Sequence, residues 1–353
     1  MKLKYKHQRF QEDAARAVTD CFLGQPHYDG TSNFLVDQGV VNGKQDNNLF
    51  HVEGFANAPL EPDVPLRDNI RRVQTSFGLK PIDQLEGDGR TLTIEMETGT
   101  GKTFTYIKTM FELNKLYGWT KFIVVVPSIA IREGVLSSFD SMSEYFAQEY
   151  GKRIQYFVYN SKQLSKIDSF AADAGIHVMI INTQAFNTSL NEDKNKEGRA
   201  GDAAARIIFS RRDEFRSRRP IDILAATHPI MIIDEPQSVL GANKTNQTRK
   251  GLKLFNSLFK LLYSATHRKD DIANMVYRLD AMDAYNKHLV KKISVKGITV
   301  SGSTATEGYL YLEGVQVFTD KAPVATLEFD CKGKGGLLKK KAHVTKGFNL
   351  YEQ

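Results

Sequence analysis

The sequence predicts an α/β protein in which a parallel sheet is flanked by helices and followed by a smaller β-rich segment. Three observations carry that expectation. Apolar β-branched runs bounded by Gly or Pro alternate with stretches of helical periodicity, as successive βαβ units require. A Gly- and Thr-rich stretch, Met96-Glu97-Thr98-Gly99-Thr100-Gly101-Lys102-Thr103, joins one strand to a helix. Another strand ends in the acidic pair Asp234-Glu235, which a parallel sheet delivers to the carboxyl edge where ligands of such folds collect.

Bulk composition bounds the rest. The chain has 353 residues, 41% of them hydrophobic, enough for a buried core and, by length, two or three domains. That excludes a disordered tail. The formal net charge of +7 permits nucleic-acid binding, although clustering decides such matters more than the sum. Cys21 and Cys331 lie near opposite ends with no Cys-x-x-Cys pair, which argues against a disulfide framework and a zinc site. The opening Met1-Lys2-Leu3-Lys4-Tyr5-Lys6-His7 lacks the apolar region of a signal peptide, and the longest apolar runs, such as residues 122–126, are too short to span a bilayer. A soluble, intracellular protein with no membrane partner is expected.

Taken in order, Phe10, Ala14, Ala17, Val18, Cys21 and Phe22 form one helical stripe closed by Gly24. An ordinary amphipathic helix is one reading. The other gives Gln11, or else Gln8, an amide that presents a donor and an acceptor together to an adenine edge. Residues 25–65 are rich in Gly, Asn, Asp and Pro and read as loop. Ile70, Val73 and Phe77 then share a helix face, with Asp68 or Asn69 to cap it and Gly78 to end it.

Residues 91–96 read as the strand that enters the Gly-Thr stretch. Its glycines let backbone N–H groups approach phosphate oxygens, Lys102 can reach terminal phosphates, and the Thr103 hydroxyl can ligate Mg²⁺. Met96 stands where G-x-x-x-x-G-K-[ST] has its first glycine. Phe104, Ile107, Met110 and Phe111 continue as helix. Further strands are expected at 121–126, 154–159 and 176–181, with a helix between the first two carrying Val135, Leu136, Phe139, Met142 and Phe146. His177 reads as a satisfied core histidine.

Arg206, Arg211, Arg212, Arg216, Arg218 and Arg219 crowd together before Pro220, either as a solvated helical face or as a phosphate-backbone contact. The strand at 230–233 delivers Asp234, a candidate Mg²⁺ ligand, and Glu235, which can polarise an attacking water near a γ-phosphate. Tyr263-Ser264-Ala265-Thr266-His267 follows another strand. Its hydroxyls mark either a plain strand end or partners for the acidic pair that report γ-phosphate loss. Ile272, Met275, Val276 and Leu279 are expected to continue as helix. From 290 to 327 the period shortens toward 2, through Ile293, Val295, Ile298, Val300, Tyr309, Tyr311, Leu312, Val315 and Val317, as in an antiparallel segment. Lys332, Lys334, Lys339, Lys340, Lys341 and Lys346 read as a solvated or disordered basic arm, or as a DNA contact.

Together the stretch at 96–103, Val126-Pro127-Ser128-Ile129-Ala130-Ile131-Arg132-Glu133-Gly134-Val135, Asp234-Glu235-Pro236-Gln237-Ser238 and Tyr263-Ser264-Ala265-Thr266-His267 resemble the restriction (Res) subunit of type III restriction enzymes, a superfamily 2 helicase-like motor. The likeness covers roughly residues 1–300. It implies a RecA-like P-loop domain using ATP and Mg²⁺, double-stranded DNA and a methyltransferase (Mod) subunit as partners, and a bacterial or archaeal cytoplasm. It also implies roles. Thr98, Gly99, Thr100, Gly101, Lys102 and Thr103 would bind nucleotide, Thr103 and Asp234 the metal, and Gln11 adenine. Lys102, Asp234 and Glu235 would be catalytic, while Ser264, Thr266, Pro127, Ser128 and Arg132 would couple nucleotide state to DNA. The expected division is 1–90 (amino-terminal helix and insertion), 91–288 (ATPase core) and 289–353 (β-rich extension with a basic tail). No second motor domain with its arginine, and no convincing nuclease site, is expected in this chain. A non-catalytic ATP- or DNA-binding fragment and a general superfamily 2 DNA or RNA helicase are the competing readings.

Overall fold

A computed structural model describes residues 5–28, 34–37, 40–41, 44–45, 52–186, 207–211, 215, 218–241, 247–291, 310–333 and 336–349. The chain divides into two compact units, Met1–Lys292 and Ile293–Gln353.

In the first unit, β1 (Phe34–Asp37), β2 (Val40–Val41), β3 (Lys44–Gln45) and β4 (Val52–Phe55) make two short antiparallel pairs, β1 with β4 and β2 with β3. Seven strands then build one sheet: β5 (Thr91–Met96), β6 (Lys121–Val126), β7 (Ile154–Val158), β8 (Ile176–Asn182), β9 (Ile230–Asp234), β10 (Lys260–Ser264) and β11 (Met275–Leu279). Their order is β11-β5-β10-β9-β6-β8-β7, and every pairing is parallel. This is the expected α/β class, a RecA-like sheet with helices on its faces: α1 (Arg9–Asp20), α2 (Leu66–Ser76), α3 (Lys102–Tyr117), α4 (Ile129–Tyr150) and α5 (Ser165–Ala172).

Continuous apolar runs are what a sheet covered on both faces demands. All six residues of β6 and all seven of β8 are buried. Phe122, Val124 and Val126 enter a core with Ile107, Phe111 and Phe146, while Ile123 and Val125 enter a second core with Ile167, Phe170 and Leu224. Local signals set the helix ends. The Ser128 hydroxyl accepts from the Ile131 N–H at the start of α4, and α3 ends at Gly118 with φ +77°.

Several expectations need correction. Met275–Leu279 is an edge strand and not a helix. Just before it, the buried Asn274 takes φ +47°, its N–H donates to Glu86 Oε2 at 2.7 Å and its side chain to the Thr91 carbonyl. Those bonds turn the chain alongside β5. Residues 25–65 are not wholly loop, because β1–β4 lie there. The same segment carries Asn57, whose side chain binds the Thr120 N–H and both backbone groups of Lys121 at the foot of β6. Neither Asp68 nor Asn69 caps α2, which begins behind Pro65; Asn69 instead donates to the Leu23 carbonyl.

The described members of the arginine cluster, Arg211, Arg218 and Arg219, do not form a helical face. A 3₁₀ turn occupies Ile207–Phe209, and Arg218 is buried in a two-pronged bond with Asp168 at 2.8 and 3.1 Å. Arg219 pairs with Asp222, and Arg206, Arg212 and Arg216 lie outside the described residues. His177 is a core residue, 4% exposed, with Nε2 3.3 Å from Asp173.

In the second unit, β12 (Leu310–Gln316), β13 (Val324–Gly333) and β14 (Gly336–Val344) form an antiparallel sheet in that order. The expected β segment is present from Leu310. Its earlier members Ile293, Val295, Ile298, Val300 and Tyr309 lie outside the described residues, as does Lys334. Lys339, Lys340 and Lys341 belong to β14 and not to a disordered arm, and Lys341 bonds Glu313 at 2.8 Å.

Candidate functional site

Strand order brings the chemically loaded segments together. β10 lies between β5 and β9, with Tyr263 level with Asp234 and Ser264 level with Glu95. All three strands therefore release their next residues at one edge.

After β5, Thr100 turns the loop back on itself. Its hydroxyl donates to the Glu97 carbonyl at 2.6 Å and its N–H to the same oxygen at 3.2 Å. Gly99 and Gly101 take φ +81° and +86°, angles that side chains with a Cβ resist. Among the described residues the N–H groups of these two glycines have no hydrogen-bond acceptor. Gly101 occupies the capping position of α3 and supplies no side-chain cap. The result is a concavity of backbone donors on the positive end of a 16-residue helix, the arrangement that binds phosphate. Gln11, 8% exposed, donates its amide to the Thr100 carbonyl at 2.9 Å. It thus braces the loop from α1.

From the next residue, Lys102 Nζ reaches to 3.2 Å from Glu235 Oε1. Glu235 is held in the left-handed region at φ +53°, a conformation that costs energy in a residue with a side chain. Its other oxygen, Oε2, accepts from Ser264 Oγ at 2.8 Å and from the Gln237 amide. Burial alone would raise the Glu235 carboxyl, but the Gln237 and Ser264 hydrogen bonds and the Lys102 charge outweigh it and hold the group below its ordinary value. Asp234 behaves oppositely. It is 6% exposed, and burial followed by the adjacent Glu235 charge pushes its pKa up to about 6.

Ser264 has one proton and three acceptors in reach: Glu235 Oε2, Gln237 Oε1 at 2.9 Å and the Thr266 carbonyl at 2.8 Å. It can serve only one at a time, so the acidic pair and the turn at 264–266 compete for the same proton. Sequence reasoning alone assigns Gln237 no role, although its amide beside the acidic pair is an available signal. His267 was also missed. Its Nε2 lies 3.1 Å from the Ile94 carbonyl of β5.

The remaining candidates are less convergent. Pro127, Ser128 and Arg132 sit at the same sheet edge but after β6, on the far side of β9 from β10. Ser128 is occupied as a helix cap, and Arg132 pairs with Glu133 at 2.8 Å. Thr98 and Thr266 are exposed, Thr103 partly so.

The donor set suits a phosphate chain, and the Thr103 hydroxyl and Asp234 carboxylate are hard oxygens of the type Mg²⁺ takes. Among the described residues no group of three or more His, Cys, Asp or Glu is placed to hold a metal. That chemistry favours a cation whose shell is completed by water and substrate oxygens. No helix among the described residues is long and apolar enough to cross a membrane.

Residues 67–269 match the family described as "Type III restriction enzyme, res subunit". The Res subunit of the type III restriction-modification enzyme EcoP15I from Escherichia coli is 33% identical over 244 residues, covering 64% of this chain and 23% of that protein. The EcoPI Res subunit of Escherichia phage P1 is 32% identical over 238 residues, with the same coverages. The StyLTI Res subunit of Salmonella typhimurium is 28% identical over 258 residues, covering 65% of this chain and 25% of that protein. The chain spans about a quarter of the length of the curated relatives it matches.

Proposed function

This chain belongs to the type III restriction enzyme Res-subunit family, and from that premise we propose that its first unit is an ATP-binding and ATP-hydrolysing motor domain. It acts on double-stranded DNA beside a methyltransferase partner, in the cytoplasm of a bacterial or archaeal cell. The observation that carries this reading is the 3.2 Å approach of Lys102 to Glu235, because it brings a phosphate-seeking cation and an ionised carboxylate into direct contact at one sheet edge.

When bound, ATP with Mg²⁺ supplies the phosphoanhydride whose terminal phosphoryl group is transferred to water. The loop at 98–103 holds the phosphates through its bare N–H groups and Lys102. The Thr103 hydroxyl and Asp234 carboxylate hold the metal. Glu235, kept ionised by Ser264, Gln237 and Lys102, orients water and accepts its proton. Gln11, already bonded to the loop, reads adenine with the rest of its amide. Ser264 and Thr266 pass the state of the acidic pair toward the DNA-facing side, where Pro127, Ser128 and Arg132 stand.

The test is ATP hydrolysis with and without duplex DNA for the parent, Lys102→Ala and Glu235→Gln. DNA-stimulated turnover abolished by both changes supports the motor. Nucleotide binding without turnover would leave a non-catalytic module, and no nucleotide binding at all would sink both.

A further inference from the structure

The face of α3 turned toward the sheet carries a polar column, Thr103, Tyr106 and Thr109, at three-residue spacing. Such a column is out of place in a core of Ile, Val, Phe and Met unless its groups are used. Thr109 is accounted for. Its hydroxyl donates to the Thr105 carbonyl at 2.8 Å and lies 3.1 Å from the Tyr263 hydroxyl. Tyr106 is different. Its side chain is 0% exposed and its hydroxyl has no hydrogen-bond partner among the described residues.

The surroundings show which groups lie near that hydroxyl. The Tyr106 ring packs edge-on against Tyr263 with centroids 5.7 Å apart, and Tyr263 is level with Asp234 in the sheet. Ile230 and Ile232 share the core of α3, so strand alternation puts Asp234 on that same face. Burial, then the Asp234 charge, raises the Tyr106 phenol, and the Thr103 side chain acts on it as a hydrogen-bonding neighbour, although the full geometry of a bond is not reached. A phenylalanine would fill the same space and make the same edge contact without burying an unpaired donor.

We propose that Tyr106 is a positioning residue for the metal side of the site: its hydroxyl donates to the carboxylate and water shell that joins Thr103 to Asp234. This rests on the nucleotide and Mg²⁺ reading above. The donor fixes the orientation of Asp234 within the filled metal shell, and it has nothing to do when that shell is absent.

The experiment uses the full chain with Mn²⁺ as a spectroscopic stand-in for Mg²⁺. Tyr106→Phe removes one oxygen, and Tyr263→Phe is the matched control, a buried hydroxyl whose partner is Thr109. Metal-free Tyr106→Phe is expected to melt at or above the parent temperature and to bind a non-hydrolysable ATP analogue in EDTA as tightly as the parent. Its Mn²⁺ affinity in the presence of that analogue should fall about tenfold, as for loss of one hydrogen bond to a charged group, with a changed electron paramagnetic resonance line shape. Tyr263→Phe should lose thermal stability and keep its Mn²⁺ affinity. Parent-like Mn²⁺ binding by Tyr106→Phe, in a protein whose Asp234→Asn variant has lost it, overturns the role of Tyr106 alone. So does a lower melting temperature for metal-free Tyr106→Phe, which would reveal a structural partner. A parent with no nucleotide-dependent Mn²⁺ binding overturns the underlying reading and the role of Tyr106 with it.

Discussion

The side-chain amide of Gln11 donates to the Thr100 carbonyl at 2.9 Å, and its Nε2 lies 2.5 Å from where a Cβ on Gly101 would stand. The first helix of the chain therefore sets the shape of a loop 89 residues away. Gly101 serves two purposes in that contact. It supplies a left-handed turn and leaves room for the amide.

Gly101→Ala follows from this pair. A non-glycine residue in the left-handed region costs roughly 1–2 kcal/mol, and the new methyl group also displaces Gln11. ATP binding, followed with a fluorescent nucleotide, should weaken by about tenfold or more. Adding Gln11→Ala should relieve the clash and leave the backbone cost, so the double variant should recover stability only in part.

Ser264→Ala tests how Glu235 is kept ionised. The Ser264 hydrogen bond lowers the Glu235 pKa, so its removal raises that pKa. If ionised Glu235 accepts the proton from water, the acid limb of the pH–rate profile moves to higher pH, with turnover near neutrality less affected. An unmoved acid limb would remove Glu235 from that role.

Lys121 gives a stability test with a defined sign. It is fully buried, donating to the carbonyls of Phe170 and Asp173, and burial lowers its pKa from 10.5 to about 8. Between those values the unfolded chain binds more protons than the folded one, so this group's contribution rises with pH across the window and its full cost is felt below about 8. The difference in urea midpoint between the parent and Lys121→Met should therefore change from pH 7 to pH 10. A constant difference would contradict the assignment.

Asn57→Ala should be among the most destabilising changes in the first unit. The side chain accepts from the N–H groups of Thr120 and Lys121 at 2.8 and 3.0 Å and donates to the carbonyls of Lys121 and His228 at 2.9 and 3.0 Å. Truncation leaves several buried groups unpaired at about 1–3 kcal/mol each. A loss of about 3 kcal/mol or more is expected in urea unfolding, and Asn57→Asp should not restore it because the donor is gone.

Much of the first unit was legible because its signals are local. The runs of β6, β8 and β9 are apolar and bounded by Gly, Pro or acidic residues, and the glycines of the phosphate-type loop stand where positive φ is needed. The Met275–Leu279 strand was not legible as a strand, since five residues with apolar members at 275, 276 and 279 fit a helix as well. Its choice was made by pairing with β5 and by the Asn274 bonds to Glu86 and Thr91. Arg218 reads as a surface cation until its partner, Asp168, is known to lie 2.8 Å away from a segment 50 residues earlier.

The sequence by itself determined the sheet class, the loop with Lys102 and Thr103, and the acidic pair, because backbone periodicity and residue chemistry are written within short windows. Only the tertiary structure decided the rest. The order β5-β10-β9 puts Ser264 between the loop and the acidic pair, aims Lys102 at Glu235, seats Gln11 under Thr100 and buries the Tyr106 hydroxyl on the face of Asp234. Each of these depends on which strand lies beside which, and that order is set by the burial of whole faces, which a linear pattern does not contain.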